Sequence, residues 1–163
     1  MAATRLIAMH QNNGKSIAQC LKDWTDYAKN GEKTDNGELI SSYACDKEMV
    51  DQEFLLSKQE YFRITGRTQA GDIIANQIRQ SFKPGEITPE EANRIGYETA
   101  MRFTKGNHAF IVATHIDRAH VHNHVIFNST NPEIGERYGR SSFRRTAHRF
   151  YGKWDECAGK SAV

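Results

Sequence analysis

The segment from residue 109 to residue 128 constrains the fold of this chain more than any other stretch. An apolar, β-branched run (109–113) is followed by a short polar connection (117–119) and then by a second apolar run (125–127). Runs of this length and composition are typical of buried strands. The segment therefore predicts two adjacent strands joined by a tight connection.

Four of the chain's seven histidines lie within the ten residues that begin at His115 and end at His124. His120, His122 and His124 occupy every second position, so in a strand their side chains share one face. His115 lies on the preceding strand, from which it can join the pair formed by His122 and His124. Convergent imidazoles commonly bind a divalent metal through neutral ring nitrogens. The spacing indicates a metal site rather than four unrelated histidines.

The pattern H-x-D-x-x-H-x-H-x-H-x-x-x-N, which begins at His115, resembles the third motif of conjugative relaxases of the VirD2-like (MobP) branch of the HUH endonucleases. The resemblance implies an α+β fold in which a five-stranded antiparallel sheet carries the histidines centrally. It also implies that His115, His122 and His124 bind a divalent metal, with Mn²⁺ or Mg²⁺ preferred. Imidazole ligands alone would also allow Zn²⁺ or Ni²⁺.

Two further segments look like motifs of the same relaxases. In residues 26–34, Tyr27 precedes a short loop and a Lys-Thr pair that begins at Lys33, as in the first motif. In residues 81–86, Ser81 opens a Ser-Phe-Lys-Pro-Gly-Glu sequence like the second motif. The resemblance implies that Tyr27 is the nucleophile, and we expect Lys33 and Ser81 to contact DNA.

Tyr43 and Tyr61 are weaker candidates for the nucleophile, because neither precedes a loop of the first-motif kind. His120 lies nearest the predicted turn, where it could face DNA or, as an alternative, act as a base.

Asp117 could accept a hydrogen bond from a histidine N–H and fix its tautomer. Asn128, at the end of the motif, is expected to orient a backbone or substrate group at the DNA site. Turn capping is the alternative for both residues.

The last part of the chain, residues 137–153, is rich in basic and aromatic residues. Arginines pair with phosphates and aromatic rings stack on bases, so this composition suits single-stranded DNA. We expect contacts from Arg140, Arg144 and Arg145. An amphipathic helix whose aromatic residues reach the core is the alternative.

The remaining patterns predict strands over residues 4–10, 37–45 and 72–82. They predict helices over 16–28, from a cap at Asp46 to about 64, and from a cap at Thr88 onwards. Mixed in this order, the elements indicate one α+β domain over 1–163, with a largely antiparallel sheet covered by helices on one side. We expect this domain to be the N-terminal nuclease part of a longer protein.

Composition excludes little by itself. The net charge is +2, and 38% of the residues are hydrophobic, which is ordinary for a globular protein. No apolar run approaches the ~18 residues of a membrane span, and no signal peptide opens the chain. Three cysteines without a CxxC spacing favour reduced thiols. We therefore expect a protein of the bacterial cytoplasm.

The expected function is a site- and strand-specific relaxase that nicks an origin of transfer through a 5′-phosphotyrosine intermediate and religates it. Its expected partners are single-stranded DNA with a hairpin, accessory mobilisation proteins and the coupling protein of a type IV secretion system. A rolling-circle replication initiator and a non-cleaving DNA-binding module are alternatives. A small-molecule hydrolase is disfavoured, because it would not need the basic, aromatic 137–153 stretch.

Overall fold

A computed structural model of the chain describes residues 2–66 and 73–130. It contains these elements in chain order: β1 (Ala3–His10), α1 (Ile17–Ala28), β2 (Ile40–Tyr43), α2 (Val50–Thr65), β3 (Ile73–Ser81), α3 (Pro89–Thr104), β4 (Phe110–His115) and β5 (His122–Asn128). The five strands form one sheet in the order β1-β3-β5-β4-β2, and every pairing is antiparallel. The predicted α+β class and five-stranded antiparallel sheet are confirmed.

Local sequence signals explain where two of the helices begin. The Ser16 hydroxyl caps α1 by accepting from the backbone N–H of Gln19, 3.1 Å away. Thr88 and Glu91 form a reciprocal capping box at the start of α3, with Pro89 in its first turn. These signals satisfy N–H groups that a helix cannot pair internally.

The predicted cap at Asp46 is wrong, because α2 begins only at Val50. The Asp46 carboxylate accepts instead from the backbone N–H of Glu48, 2.8 Å away, in a turn that precedes the helix. Aspartate forms this local turn as readily as a helix cap, so composition does not separate the two.

Two other boundaries also differ from the prediction. The second strand is shorter than 37–45, because residues up to Leu39 belong to turns, and the third strand is described from Ile73 onwards.

Helices cover both faces of the sheet, so the prediction of cover on one side is wrong. Buried residues of α1 and α2 pack on Ile111 and Ile126, whereas those of α3 pack on Val112 and Val125. Neighbouring residues of one strand point to opposite faces, so these contacts define two separate cores. The physical reason is visible in β4 and β5, which are buried at every position because their apolar runs are continuous.

A buried polar network fixes β5 against α3. The amide of Asn123 donates to the carbonyl of Ala92 at 2.6 Å and to Gln80 Oε1 at 3.1 Å, and its Oδ1 accepts from the hydroxyl of Thr114 at 2.7 Å. Asn123 lies between His122 and His124 in sequence and points to the opposite face. The network therefore fixes the part of β5 from which those two histidines project.

None of the described helices is long and apolar enough to cross a membrane. Within the same residues, Cys20 and Cys45 are free thiols.

Candidate metal centre and nuclease site

His115, His122 and His124 converge on one face of the sheet. His115 ends β4 directly opposite His122 on β5, and His124 follows two residues later on the same face. Their ring centroids lie 4.3 Å (His115 to His124), 5.1 Å (His115 to His122) and 5.2 Å (His122 to His124) apart. One nitrogen from each ring lies within 4.8 Å of the others, close enough for a common metal ion.

Two buried ring nitrogens of the histidine cluster have no hydrogen-bond partner among the described residues. His115 Nε2–H donates to the backbone carbonyl of Ala28 at 2.8 Å, so its Nδ1 carries a lone pair. His115 Nδ1 and His124 Nε2 are both buried and, among the described residues, make no hydrogen bond. Buried polar atoms are nearly always paired. Two buried nitrogens without a hydrogen-bond partner in one cluster fit the binding of a metal ion.

The site keeps its histidines neutral. Burial lowers the pKa of His115 and of His122, and it lowers the pKa of His124 to about 3. Repulsion from the protonated forms of His115 and His122 also disfavours protonation of His124. Neutral imidazoles are the protonation state that binds a metal.

Tyr27 lies beside this cluster, at the end of α1. Its ring centroid is 5.9 Å from that of His115 and 5.7 Å from that of His124, and the side chain is 52% exposed. The next residue, Ala28, supplies the carbonyl that binds His115. The same hydrogen bond therefore fixes the tautomer of His115 and holds the end of α1 against the histidines.

Lys33 and Asp117 border Tyr27. Lys33 Nζ lies 4.3 Å from the centroid of the Tyr27 ring and 3.9 Å from Asp117 Oδ2. The backbone N–H of Ile116 donates to the carbonyl of Lys33 at 2.8 Å, so the loop after α1 is held against the end of β4. In the part of the chain that the structure describes, Asp117 pairs with Lys33 rather than with a histidine ring, and the hydrogen bond expected between Asp117 and a histidine is not formed.

The other predicted residues lie in different places. Ser81 ends β3 opposite His122. His120 precedes β5, and its ring lies 5.4 Å from that of His122, outside the group of three. Asn128 is fully buried and donates to the carbonyl of Phe54 on α2 at 3.3 Å. It therefore orients backbone, one of the two roles expected of it, and is not available to DNA in this structure.

Arg140, Arg144 and Arg145 lie outside the described residues, as does the whole basic stretch 137–153. Tyr43 stacks on Phe110, in the core on the other face of the sheet, and Tyr61 lies on α2. Within residues 2–66 and 73–130, neither of these rings contacts a histidine, so Tyr27 is the tyrosine of the described part that borders the cluster.

Three residues near the histidines were not predicted to act there. Gln77 and Arg79 lie on the same face of β3 as Ser81, and Arg5 faces Arg79 from β1. The sequence alone shows that Gln77, Arg79 and Ser81 occupy every second position of one predicted strand. Which face of β3 meets the histidines depends on its pairing with β5, which no local pattern shows.

Comparison with known proteins decides the family. Residues 27–153 match the model of the MobA/VirD2-like relaxase nuclease domain, which covers more than half of the chain. The chain belongs to this relaxase family.

Relatives of this relaxase domain include protein rlx of Staphylococcus aureus, 33% identical over 145 residues, which span 89% of this chain and 39% of that protein. The group II intron-interrupted relaxase LtrB of Lactococcus lactis subsp. cremoris is 40% identical over 78 residues, which span 47% of this chain and 14% of LtrB. The matched regions thus cover well under half of these relatives' lengths.

A solved structure with a similar fold is the MobM relaxase domain (MOBV; Mob_Pre) bound to 26-nucleotide pMV158 oriT DNA. The TM-score is 0.54 with 15% identity, and the match covers 93% of this chain and 86% of that one. At this identity the likeness concerns the fold, and it confirms the predicted relaxase architecture.

Proposed function

We propose that this relaxase domain, as a member of the MobP branch, nicks one strand of DNA at an origin of transfer and later reseals it. The observation that carries the proposal is the position of Tyr27. An exposed phenol lies within 6 Å, between ring centroids, of two histidines of a cluster that fits a metal ion. A nucleophile beside a candidate metal centre is the arrangement that phosphodiester transfer requires.

His115 Nδ1, His124 Nε2 and His122 Nε2 would hold the ion, with Mn²⁺ or Mg²⁺ as the proposed identity. When bound, it would neutralise a nonbridging phosphate oxygen and polarise the phosphorus. Three protein ligands leave open positions for substrate, as a catalytic site requires.

Tyr27 would attack the phosphorus through its phenol oxygen. The bond from phosphorus to the 3′ oxygen breaks as the bond to Tyr27 forms, and the phenol proton ends on the released 3′ hydroxyl. One phosphodiester is exchanged for another, so the step is reversible and consumes no cofactor. The reverse attack by a 3′ hydroxyl would reseal the strand.

Lys33 and Asp117 would position the nucleophile. An ammonium over an aromatic face is attractive, and Asp117 restrains the ammonium from the other side. Lys33 is also available to a phosphate, since its side chain is partly exposed. His120, at the rim of the cluster, would face the substrate or accept the phenol proton, and Ser81 would contact DNA beside His122.

The proposed substrate is single-stranded DNA of an origin of transfer, with an adjacent hairpin. In the cell we expect the domain to be the N-terminal part of a longer cytoplasmic protein that meets accessory mobilisation proteins and a secretion coupling protein. The match to the relaxase nuclease family supports the choice of DNA as the substrate.

Two other functions make different predictions. A rolling-circle initiator of the same superfamily would also form a tyrosine adduct, but it would act on a replication origin. A non-cleaving binding module would bind DNA without forming any adduct. The first-motif position of Tyr27, ahead of the histidines in sequence, favours the relaxase.

The test is a cleavage assay with a labelled single-stranded oligonucleotide from the origin of transfer of the encoding element, in Mn²⁺. Unmodified protein should give a band that migrates slowly under denaturing conditions. The band should be lost with Tyr27→Phe, with His122→Ala and with EDTA, and kept with Tyr61→Phe as the matched control. Adduct formation by Tyr27→Phe would contradict the assignment, and binding without cleavage by all of these proteins would favour the binding module.

A further inference from the structure

Two arginines lie in register with the metal-site histidines. Arg5 on β1 faces Arg79 on β3, and Arg79 faces His124 on β5. Residues directly opposite in a sheet project from the same face, and neighbouring strands lie about 4.8 Å apart. The three side chains therefore form one row that crosses the strands and ends at the histidine cluster.

This row lies on the part of the face that the helices leave open. Gln77 on β3 is buried, whereas Arg79, two residues further along, is exposed and Ser81 is partly exposed. Arg5 is exposed as well. The open surface therefore begins beside His124 and extends over β3 to the edge strand β1.

The two guanidinium groups have no acidic partner on the described part of the protein, where the ion pairs involve other cations. Like charges directly opposite in a sheet are destabilising. A bound anion would remove that repulsion. The charge of Arg79 also reaches the metal site, since it contributes, after burial and the neighbouring histidines, to the lowered pKa of His124.

We propose that Arg5 and Arg79 bind neighbouring backbone phosphates of the single-stranded substrate, on the side of the histidines opposite Lys33. This inference rests on the proposed function and adds to it the path of the bound DNA strand across the sheet. The loop that carries Lys33 is held at the end of β4, whereas the arginines lie on β3 and β1, with β5 between them. The bound strand would therefore cross β1, β3 and β5 in turn before it reaches Tyr27.

The salt dependence of binding tests this contact without any cleavage. Fluorescence anisotropy would measure the affinity for a mixed-sequence 30-nucleotide single strand in EDTA, between 50 and 200 mM salt. Each phosphate contact with a single strand contributes about 0.7 to the slope of log affinity against log salt. Over this fourfold range of salt concentration, loss of one contact should make the salt-induced drop in affinity about 2.6-fold smaller.

Arg5→Gln and Arg79→Gln should each weaken binding at 50 mM salt and lower the slope by about 0.7, and the double variant by about 1.4. Arg102→Gln is the matched control, because Arg102 is an exposed arginine of α3, the helix that packs on the other face. Its slope should equal that of the unmodified protein.

Unchanged slopes in both variants, with salt-dependent binding by the unmodified protein, would overturn the phosphate contacts and leave the proposed function standing. Absence of salt-dependent binding by the unmodified protein would also overturn the phosphate contacts, whereas the cleavage assay with origin-of-transfer DNA decides the proposed function separately.

A different observation concerns Gln77, whose amide contacts the third histidine. Gln77 Nε2 lies 2.5 Å from His124 Nδ1 on the buried side of the cluster. The tautomer of His115 is fixed by a backbone carbonyl, which can only accept. An amide can donate or accept, because a half-turn exchanges its nitrogen and oxygen. His124 Nε2 has a free lone pair only when Nδ1 carries the proton and the amide oxygen accepts it.

We infer that Gln77 is a positioning residue that holds His124 as an Nε2 ligand by accepting from Nδ1–H through Oε1. This inference also rests on the proposed metal site. Partners of this kind orient a ligating imidazole, and their loss typically costs about 10- to 100-fold in metal affinity.

The test is Mn²⁺ titration by calorimetry in the absence of DNA. Gln77→Leu should weaken Mn²⁺ binding about 10- to 100-fold, and Gln77→Glu, which can only accept, should restore it. Asn76→Leu is the matched control, because Asn76 is a buried amide residue of the same strand that points to the other face. It should lower the melting temperature and leave the Mn²⁺ affinity unchanged.

Equal Mn²⁺ affinity in Gln77→Leu and unmodified protein would overturn the positioning role. Failure of Gln77→Glu to recover affinity would do the same. If the unmodified protein binds no Mn²⁺, both this role and the proposed metal site are wrong.

Discussion

Replacement of Gly96 by alanine should disturb the hydrogen-bond network of Asn123, which holds β5 beside the metal site. Gly96 faces the sheet from the middle of α3, and a Cβ built on it would lie 2.6 Å from Asn123 Nδ2 and 2.7 Å from Val112 Cγ1. Both distances are far below ordinary van der Waals contact. Asn123 cannot turn away freely, because its amide also bonds to Ala92, Gln80 and Thr114.

The expected cost follows from two opposing terms. Overpacking a well-filled core costs about 1–3 kcal/mol, and the fixed network around Asn123 favours the upper end. Alanine in a helix interior recovers about 1 kcal/mol relative to glycine. The net loss of unfolding free energy should be about 2 kcal/mol, which corresponds to a melting temperature about 4–8 °C lower for a chain of this size. Because Asn123 lies between His122 and His124, the affinity for Mn²⁺ should fall as well.

Urea unfolding of Gly96→Ala and calorimetric Mn²⁺ titration would measure both effects. Gly31→Ala is the control, because a Cβ there would meet its nearest neighbour at 3.8 Å, an ordinary contact. Its unfolding midpoint should stay close to that of the unmodified protein or rise slightly. A Gly96→Ala protein as stable as the unmodified one would refute the close approach of α3 to β5.

Three further predictions follow from the site. Mn²⁺ at about 100 times its dissociation constant should stabilise the fold by about 2.7 kcal/mol and raise the melting temperature by about 5–10 °C. EDTA or His122→Ala should abolish this rise in melting temperature. A rise that persists in His122→Ala would contradict the assignment of His122 as a metal ligand. Burial lowers the pKa of His108 from 6.5 to about 4, so the metal-free protein should lose stability as the pH falls from 6.5 towards 4, by about 2 kcal/mol from this residue at pH 5. Urea unfolding midpoints at pH 7 and pH 5 would measure this loss, and His108→Gln should reduce the pH dependence by that amount. An equally steep pH dependence in His108→Gln would contradict the prediction. Lys33→Gln removes the ammonium from the face of the Tyr27 ring, a contact of about 0.5–1 kcal/mol. This variant should form the adduct about two- to fivefold more slowly, with unchanged Mn²⁺ affinity. An unchanged rate in a time course of adduct formation would show that Lys33 does not position Tyr27.

The fold and the histidine cluster were predictable because their signals are local or periodic. The alternation of His122 and His124 puts both on one face, and the short connection before them brings His115 opposite. The capping signals of Ser16 and Thr88 likewise act within one turn. Such features depend on few residues and do not require knowledge of distant pairing.

Features that depend on strand order were not predictable. The continuous apolar runs of β4 and β5 put apolar side chains on both faces, but which helix covers which face depends on the positions of α1 and α3. The approach of Arg5 and Arg79 to His124 requires the β1-β3-β5 order. Asn128 was expected at the DNA site but lies beneath α2, because the face it shares with His124 is open at one end and covered at the other.

The most direct test of the account is mass spectrometry of the unmodified protein after incubation with origin-of-transfer single-stranded DNA and Mn²⁺. The intact mass should increase by that of the 3′ portion of the oligonucleotide, with its 5′ phosphate. Peptide mapping should place this addition on the peptide that contains Tyr27. A nicked oligonucleotide without any protein adduct, or an adduct on another residue, would contradict the assignment of Tyr27 as the nucleophile beside the histidine cluster.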